Sequence, residues 1–173
     1  MDDIPNYNQC IQILKENKCS QEIINHCIAV RNIAVRIAER ANANITLVEA
    51  GALLHDIGRS VTHDIGHAVE GAKIAKKIGL NNEIINIIER HIGAGISKEE
   101  AKKIGLPTKD YTPQTLEEKI VCHSDNLIED NKQQNIEIEV KKALDKGLKK
   151  YAEKLILLHE ELCNICQMDI NYI

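Results

Sequence analysis

At 173 residues the chain has room for one domain with a sizeable core. Lys and Arg number 22 against 26 Asp and Glu, a formal net charge of -4, so no overall basic character argues for a nucleic-acid binder. Trp and Phe are absent and the only aromatic side chains are Tyr7, Tyr111, Tyr151 and Tyr172, which argues against repeated base-stacking platforms and leaves the core to Ile, Leu, Val and Ala.

In chain order, the opening Met1-Asp2-Asp3-Ile4-Pro5 lacks the basic and apolar regions of a secretory signal, and no apolar run approaches bilayer length. A cytoplasmic location without membrane partners is the expectation. Met1 to Asn17 is expected to form a short helix covering part of a bundle. Ser20-Gln21-Glu22 can cap a helix that carries Ile23, Cys27, Val30, Ile33, Ala34 and Ile37 at helical spacing, with His26 on the same face. Thr46 can cap the next helix, Leu47 to Ile57, with Gly58 as its stop, so His55 and Asp56 fall at its C-terminal end. A third helix runs from about His67 to Ile78. Asn81 or Asn82 opens a fourth with Ile84, Ile85, Ile87 and Ile88, whose spacing points His91 inward.

Ser97-Lys98-Glu99-Glu100 has the pattern of a capping box for a short helix ended by Gly105 and Pro107, within an otherwise loop-like stretch from Gly93 to Pro113. That stretch reads as a lid or specificity element, or as a plain connection. Thr115-Leu116-Glu117-Glu118 is a second capping-box pattern, opening a helix that puts Asp125 on its apolar face. Glu129 to Asn135 reads as a connection, and a long helix is expected over about Ile138 to Cys163 with Leu144, Leu148, Leu155, Leu158 and Leu162 on one side. Reduced thiols are the expectation for the six cysteines. Cys163-Asn164-Ile165-Cys166 has the spacing of half a zinc knuckle, but no second pair accompanies it, so packing is its expected role.

The fold class is therefore all-α, and the chemistry lies in the polar residues on its apolar faces. His26, His55, Asp56, His91 and Asp125 sit on, or at the end of, the buried faces of four different helices. Two inward carboxylates with no Arg or Lys on those faces are costly to keep ionised, whereas a divalent cation neutralises and coordinates both. One histidine on an apolar face is usually a hydrogen-bonded core residue; five such groups together point to a shared metal site.

The order His26, then His55-Asp56-Ile57-Gly58, then Asp125 resembles the HD-domain superfamily of metal-dependent phosphohydrolases. The likeness covers about residues 20 to 130, and Ile57-Gly58-Arg59 is similar to the branch named for its His-Asp-Ile-Gly motif, which includes uncharacterised archaeal proteins. It implies a helical bundle with a central metal-binding cleft, residues 1–173 forming one such domain with the helix over about 138–163 packed on it. In binuclear members two further histidines follow. The resemblance places His67, in His67-Ala68-Val69-Glu70-Gly71-Ala72, and His91, in Arg90-His91-Ile92-Gly93, at those positions. Asp56 would bridge, with His26, His55 and Asp125 on one ion and His67 and His91 on the other. His63 is the rival of His67, or else backs a metal ligand or faces substrate. His123, turned to another side of its helix, likewise backs a metal ligand or faces substrate.

The implied cofactor is a pair of divalent transition-metal ions, with iron, manganese, cobalt, nickel and zinc all compatible with these ligands. The implied reaction is hydrolysis of a phosphate ester or anhydride of a nucleotide or similar small molecule by a metal-activated hydroxide, with Asp56 central. Arg59, just past the His-Asp pair, is placed to contact phosphate, or is an ordinary solvated arginine. Lys98, Lys102 and Lys103 line the entrance or a solvated face. An oxidative binuclear-iron enzyme and a non-catalytic signalling or RNA-associated module are the alternatives.

Overall fold

Helix starts are set by side chains that take up orphan backbone N–H groups. In the computed structural model, which describes residues 4–173, α1 (Tyr7–Glu16) opens on a reciprocal capping box between Asn6 and Gln9. The first three residues of the stretch expected to hold this helix lie outside the described ones. Ser20 caps α2 (Gln21–Ala41), which stops where Asn42 turns left-handed at φ 53°. The next helix, α3 (Ile45–Leu54), is capped by Asn44, whose side chain accepts the Leu47 N–H at 3.1 Å, so the cap lies two residues before Thr46.

Gly58 is not the stop of α3. It lies in a 3₁₀ turn, Ile57–Ser60, against the first turns of α4 (His67–Lys77). A Cβ on Gly58 would sit 1.9 Å from the His67 carbonyl oxygen and 2.5 Å from the Gly71 nitrogen. Glycine is required there by the close approach of two backbones, which brings the end of α3 and the start of α4 together. Asn81 caps α5 (Asn82–Glu89), Ser97 and Glu100 form the expected box on α6 (Lys98–Lys103), and Thr115 caps α7 (Leu116–Asn126).

Alpha-3 is buried on nearly all sides, through Leu47, Val48, Ala50, Gly51, Ala52, Leu53 and Leu54. It is the central helix, packed against α1, α2, α5 and α7. Each fully buried Leu or Ile contributes about 1.5–3 kcal/mol relative to exposure, and Leu53, Leu54, Ile57, Ile84, Ile87 and Ile88 all have no more than 1% of their surface exposed. Because this core is dense, the polar groups at the ends of α3, α4 and α5 are held in place by packing.

After α7 the chain makes a short antiparallel pair, β1 (Ile128–Glu129) with β2 (Lys132–Gln133), turned by Asp130 and Asn131 at positive φ. The long helix expected over 138–163 is two helices, α8 (Ile136–Asp145) and α9 (Lys149–Cys166), separated at Gly147 with φ 74°. Leu144 and Leu148 flank that break and are about half exposed, whereas Leu155, Leu158 and Leu162 are buried. The fold is all-α apart from the two-residue strands, and no helix among the described residues is long and apolar enough to cross a membrane.

Candidate metal centre

His55 and Asp56 follow α3, where the close-packed Gly58 turn keeps both at the core: His55 is 0% and Asp56 2% exposed. His67 is the first residue of α4, His91 follows α5 by two residues, His26 lies inside α2, and Asp125 is the penultimate residue of α7. The other five gather around the Asp56 carboxylate. His26 and His55 place Nε2 at 3.8 and 3.7 Å from Asp56 Oδ2, while His67 and His91 place theirs at 3.1 and 3.4 Å from Oδ1. Asp125 Oδ1 is 2.8 Å from His26 Nε2 and 3.5 Å from His55 Nε2. His63, the rival of His67, is exposed in the loop before α4.

Backbone carbonyls fix three of the rings. His55 Nδ1 donates to Ala52, His67 Nδ1 to Asp64 and His91 Nδ1 to Ile88, each at 2.7 Å. With a proton on Nδ1, each ring in its neutral form turns a bare Nε2 lone pair into the centre. His67 and His91 Nε2 then stand 3.0 Å apart with no proton between them. His55 Nε2 and Asp56 Oδ1 are enclosed and lack a hydrogen-bond partner. Lone pairs crowded together out of water are costly unless a cation sits among them, so these residues fit a divalent metal.

The protonation pattern agrees. Burial pushes Asp56 up, but His55 and the close approach of His67 and His91 outweigh it and hold the carboxyl well below the usual range. Asp125 likewise lies below its ordinary value: burial opposes this, and contacts with His26 and His55 prevail. Burial drives the His91 imidazole down, whereas at His55 burial is overcome by the Asp56 charge and the ring is raised. Without a cation, protons are drawn to the site between the two carboxylates.

One feature differs from the sequence reading. Asp56 does have a cationic partner, since Arg59 Nε donates to its Oδ2 at 2.6 Å; among the described residues only the Nε of this partly exposed guanidinium is engaged. His123 is fully buried and meets His159 of α9 at 2.9 Å. Lys98, Lys102 and Lys103 are exposed on α6.

Sequence reasoning missed the clamp beneath the centre. Arg90 Nη1 donates to both Glu118 oxygens at 2.9 Å, and Glu118 also accepts the Gln114 N–H. Glu118 therefore does not close the capping box expected on Thr115; it ties the end of α5, and so His91, to the helix carrying Asp125. The adjacent Arg90-His91 pair was the available signal. Asn126, beside Asp125, donates to the Gly93 carbonyl at 2.6 Å, and Lys154 donates to that of Gly95 at 3.1 Å, so the turn after His91 is tethered from two helices.

Comparison with known proteins gives the family and the fold. Residues 23–130 match the model of the HD domain. The chain is 46% identical over 168 residues to a tRNA (cytidine(56)-2'-O)-methyltransferase of Picrophilus torridus, covering 97% of this chain but 49% of that protein. It therefore spans about half the length of that relative, and the same holds for the corresponding methyltransferase of Thermoplasma volcanium, at 50%. It is also 46% identical to the uncharacterized protein MJ0778 of Methanocaldococcus jannaschii, with 92% of this chain and 98% of that protein aligned. Among solved structures, the HD domain of the Listeria monocytogenes phosphodiesterase PgpH superposes with a TM-score of 0.58 at 20% identity, covering 94% of this chain and 98% of that one. The histidines and aspartates gathered at the end of α3 thus lie within a matched sequence segment and a matched fold, and the chain belongs to the HD domain family.

Proposed function

We propose that the protein is a metal-dependent phosphohydrolase whose centre holds two divalent transition-metal ions and acts on a phosphate ester or anhydride of a nucleotide or related small molecule. The observation that carries this reading is the division of the Asp56 carboxylate, one oxygen facing His26 and His55 and the other facing His67 and His91. His26, His55, Asp125 and Asp56 would hold one ion, and His67, His91 and Asp56 the other. When bound, such ions supply Lewis acidity toward a phosphoryl oxygen and acidify water near neutral pH. Iron, manganese, cobalt, nickel and zinc are all compatible with this ligand set.

The chain's own groups do the rest. The Ala52, Asp64 and Ile88 carbonyls hold three rings with Nε2 inward. Arg59 orients Asp56 through Nε, leaving its outer N–H groups for a phosphate oxygen. His63, in the exposed loop leading to His67, is placed to meet substrate. An apolar slot lined by Ile65, Ile92, Ile96, Ile104 and Tyr151 adjoins the segment after His91 and can take the uncharged part of a substrate. The nucleotide class gains support from PgpH, whose HD domain has been seen in complex with cyclic-di-AMP. Residues 1–173 are read as one domain, because one apolar cluster runs from Cys10 to Ile173.

The likeness to half of two tRNA methyltransferases favours a second reading, an RNA-associated module. One experiment separates these: metal analysis of protein purified without chelator, followed by a screen of nucleotides and dinucleoside polyphosphates with manganese, cobalt, nickel or iron. About two ions per chain and phosphate release, or phosphodiester cleavage, are expected. Oxygen consumption without either replaces this reading by the oxidative one, and tRNA binding without any turnover by the second.

A further inference from the structure

A second group of metal-binding side chains lies at the far end of α9. His159 and Cys163 are four residues apart and share a helix face. Alpha-9 ends at Gln167, left-handed at φ 54°, and the reversal brings Asp169 back over that face, with its Oδ1 3.4 Å from His159 Nε2. One ligand atom from each of His159, Cys163 and Asp169 lies within 4.8 Å of the other two. In a tetrahedral zinc site, bond lengths of about 2.0–2.3 Å put ligand atoms about 3.3–3.6 Å apart, so closure by no more than about 1.5 Å completes the geometry. The depression is bordered by Glu137 and Glu160 and lined by no Lys or Arg among the described residues.

Two independent observations point to a ligand there. Cys163 Sγ accepts the Ile170 N–H at 3.4 Å, a bond that favours a thiolate, although burial prevails without a cation and holds the thiol above its ordinary value. His123 is fully buried on α7 with Nδ1 unpartnered, and its Nε2 lies 2.9 Å from His159 Nδ1. As core packing this is a poor use of an imidazole, whose sole hydrogen-bond neighbour is another imidazole. As the outer partner of a metal ligand it has a clear role: it orients the His159 ring with Nε2 toward the depression. Cys166, the other half of the Cys-x-x-Cys pair, is buried and directs its thiol to the Ile37 carbonyl at 3.9 Å.

We propose that His159, Cys163 and Asp169 form a second metal site for a thiophilic divalent cation of the zinc type, with the fourth position open. The bound ion fastens the C-terminal turn, Ile170–Tyr172, to α9, and through His123 to the helix that carries Asp125. This site is independent of the centre around Asp56, and its thiolate gives it a distinguishing signal, since the six groups at the centre offer only nitrogen and oxygen.

The test is a titration of chelator-treated, reduced protein with cobalt(II). Near-ultraviolet thiolate-to-cobalt absorption should rise and saturate by about three equivalents, two of them taken up by the centre around Asp56 without such absorption. It should fall at least about tenfold in Cys163→Ser, and Asp169→Asn should weaken cobalt binding at this site about tenfold while far-ultraviolet dichroism stays unchanged. The proposal is overturned if the wild-type protein gives no such absorption, if the absorption survives Cys163→Ser, or if Asp169→Asn binds as tightly as the wild type.

Discussion

The centre around Asp56 and the cluster at the end of α9 both gather imidazoles, and they differ in what holds the rings. At the centre, three rings are pinned by carbonyl oxygens three residues earlier in the chain, groups that do not titrate. At the α9 cluster the His159 ring is held by His123, a second imidazole. The centre draws its side chains from five separate segments locked by a dense core, whereas two of the three groups at the α9 cluster share one helix face. A site with backbone-fixed rings keeps its geometry as conditions change, which suits chemistry; a site held by a titratable neighbour is conditional.

The largest effect that can break this comparison comes from Asp56, whose two carboxylate oxygens face the two halves of the centre. Asp56→Ala should lower phosphohydrolase turnover by about 10⁴-fold or more, equivalent to at least about 5 kcal/mol of transition-state stabilisation. Metal content of the purified variant should fall by about two ions relative to the wild type, with cobalt–thiolate absorption at Cys163 intact. Turnover within tenfold of wild type would remove Asp56 from the mechanism.

Next in size is the clamp that rigidifies the centre. Glu118 is 3% exposed, pairs with Arg90 through Nη1 and accepts the Gln114 N–H. Glu118→Ala leaves a largely buried guanidinium unpaired, and breaking such a pair costs about 3–5 kcal/mol. Urea unfolding should show the loss, with turnover at saturating metal reduced as His91 drifts from Asp56. Unchanged stability would mean that the centre does not depend on this tie.

These residues also show where sequence reading stops. Helix starts at Ser20, Asn81, Ser97 and Thr115 follow from local chemistry, because a cap acts within three residues. His26, His91 and Asp125 could be placed inward because apolar spacing on one helix fixes its face. The partners of Arg59, Arg90 and Glu118 could not be read, since nothing local says which distant charge each will meet. The break at Gly147 was hidden because Leu144 and Leu148 keep the helical spacing on either side of it, and the return of Asp169 toward His159 depends on a left-handed Gln167 that no glycine announces. In sequence Gly58 reads as a helix stop; its role, leaving room for the His67 carbonyl, exists only once α4 is packed.

The conditional character of the second cluster gives an effect of a few kcal/mol. Burial, helped by His159, pushes His123 down to about 3 from an ordinary value of 6.5. A depressed histidine leaves stability intact above pH 6.5; as pH falls toward about 3 the unfolded chain takes up a proton that the folded chain refuses, and stability is lost. In chelator-treated protein, the wild type should therefore lose a few kcal/mol more than His123→Gln between about pH 7 and pH 4. Equal losses in urea titrations would show that His123 is not held neutral in the folded state.

The smallest effect sharpens the comparison inside the centre itself. His67 and His63 are four residues apart, and helical spacing could not choose between them because one begins α4 and the other precedes it. The structure puts the His67 ring against Asp56 and His91 and leaves His63 exposed. His67→Ala should retain about one ion per chain fewer than the wild type and lose about 100-fold in turnover, near 2.7 kcal/mol, because Asp56 Oδ1 keeps only His91. His63→Ala should keep the full metal content and lose turnover mainly through a higher KM, by about tenfold or less, as expected of a group that meets substrate rather than metal. If His63→Ala instead sheds an ion while His67→Ala does not, the loop before α4 must refold on metal binding, and the carbonyl of Asp64 ceases to explain how that half of the centre is held.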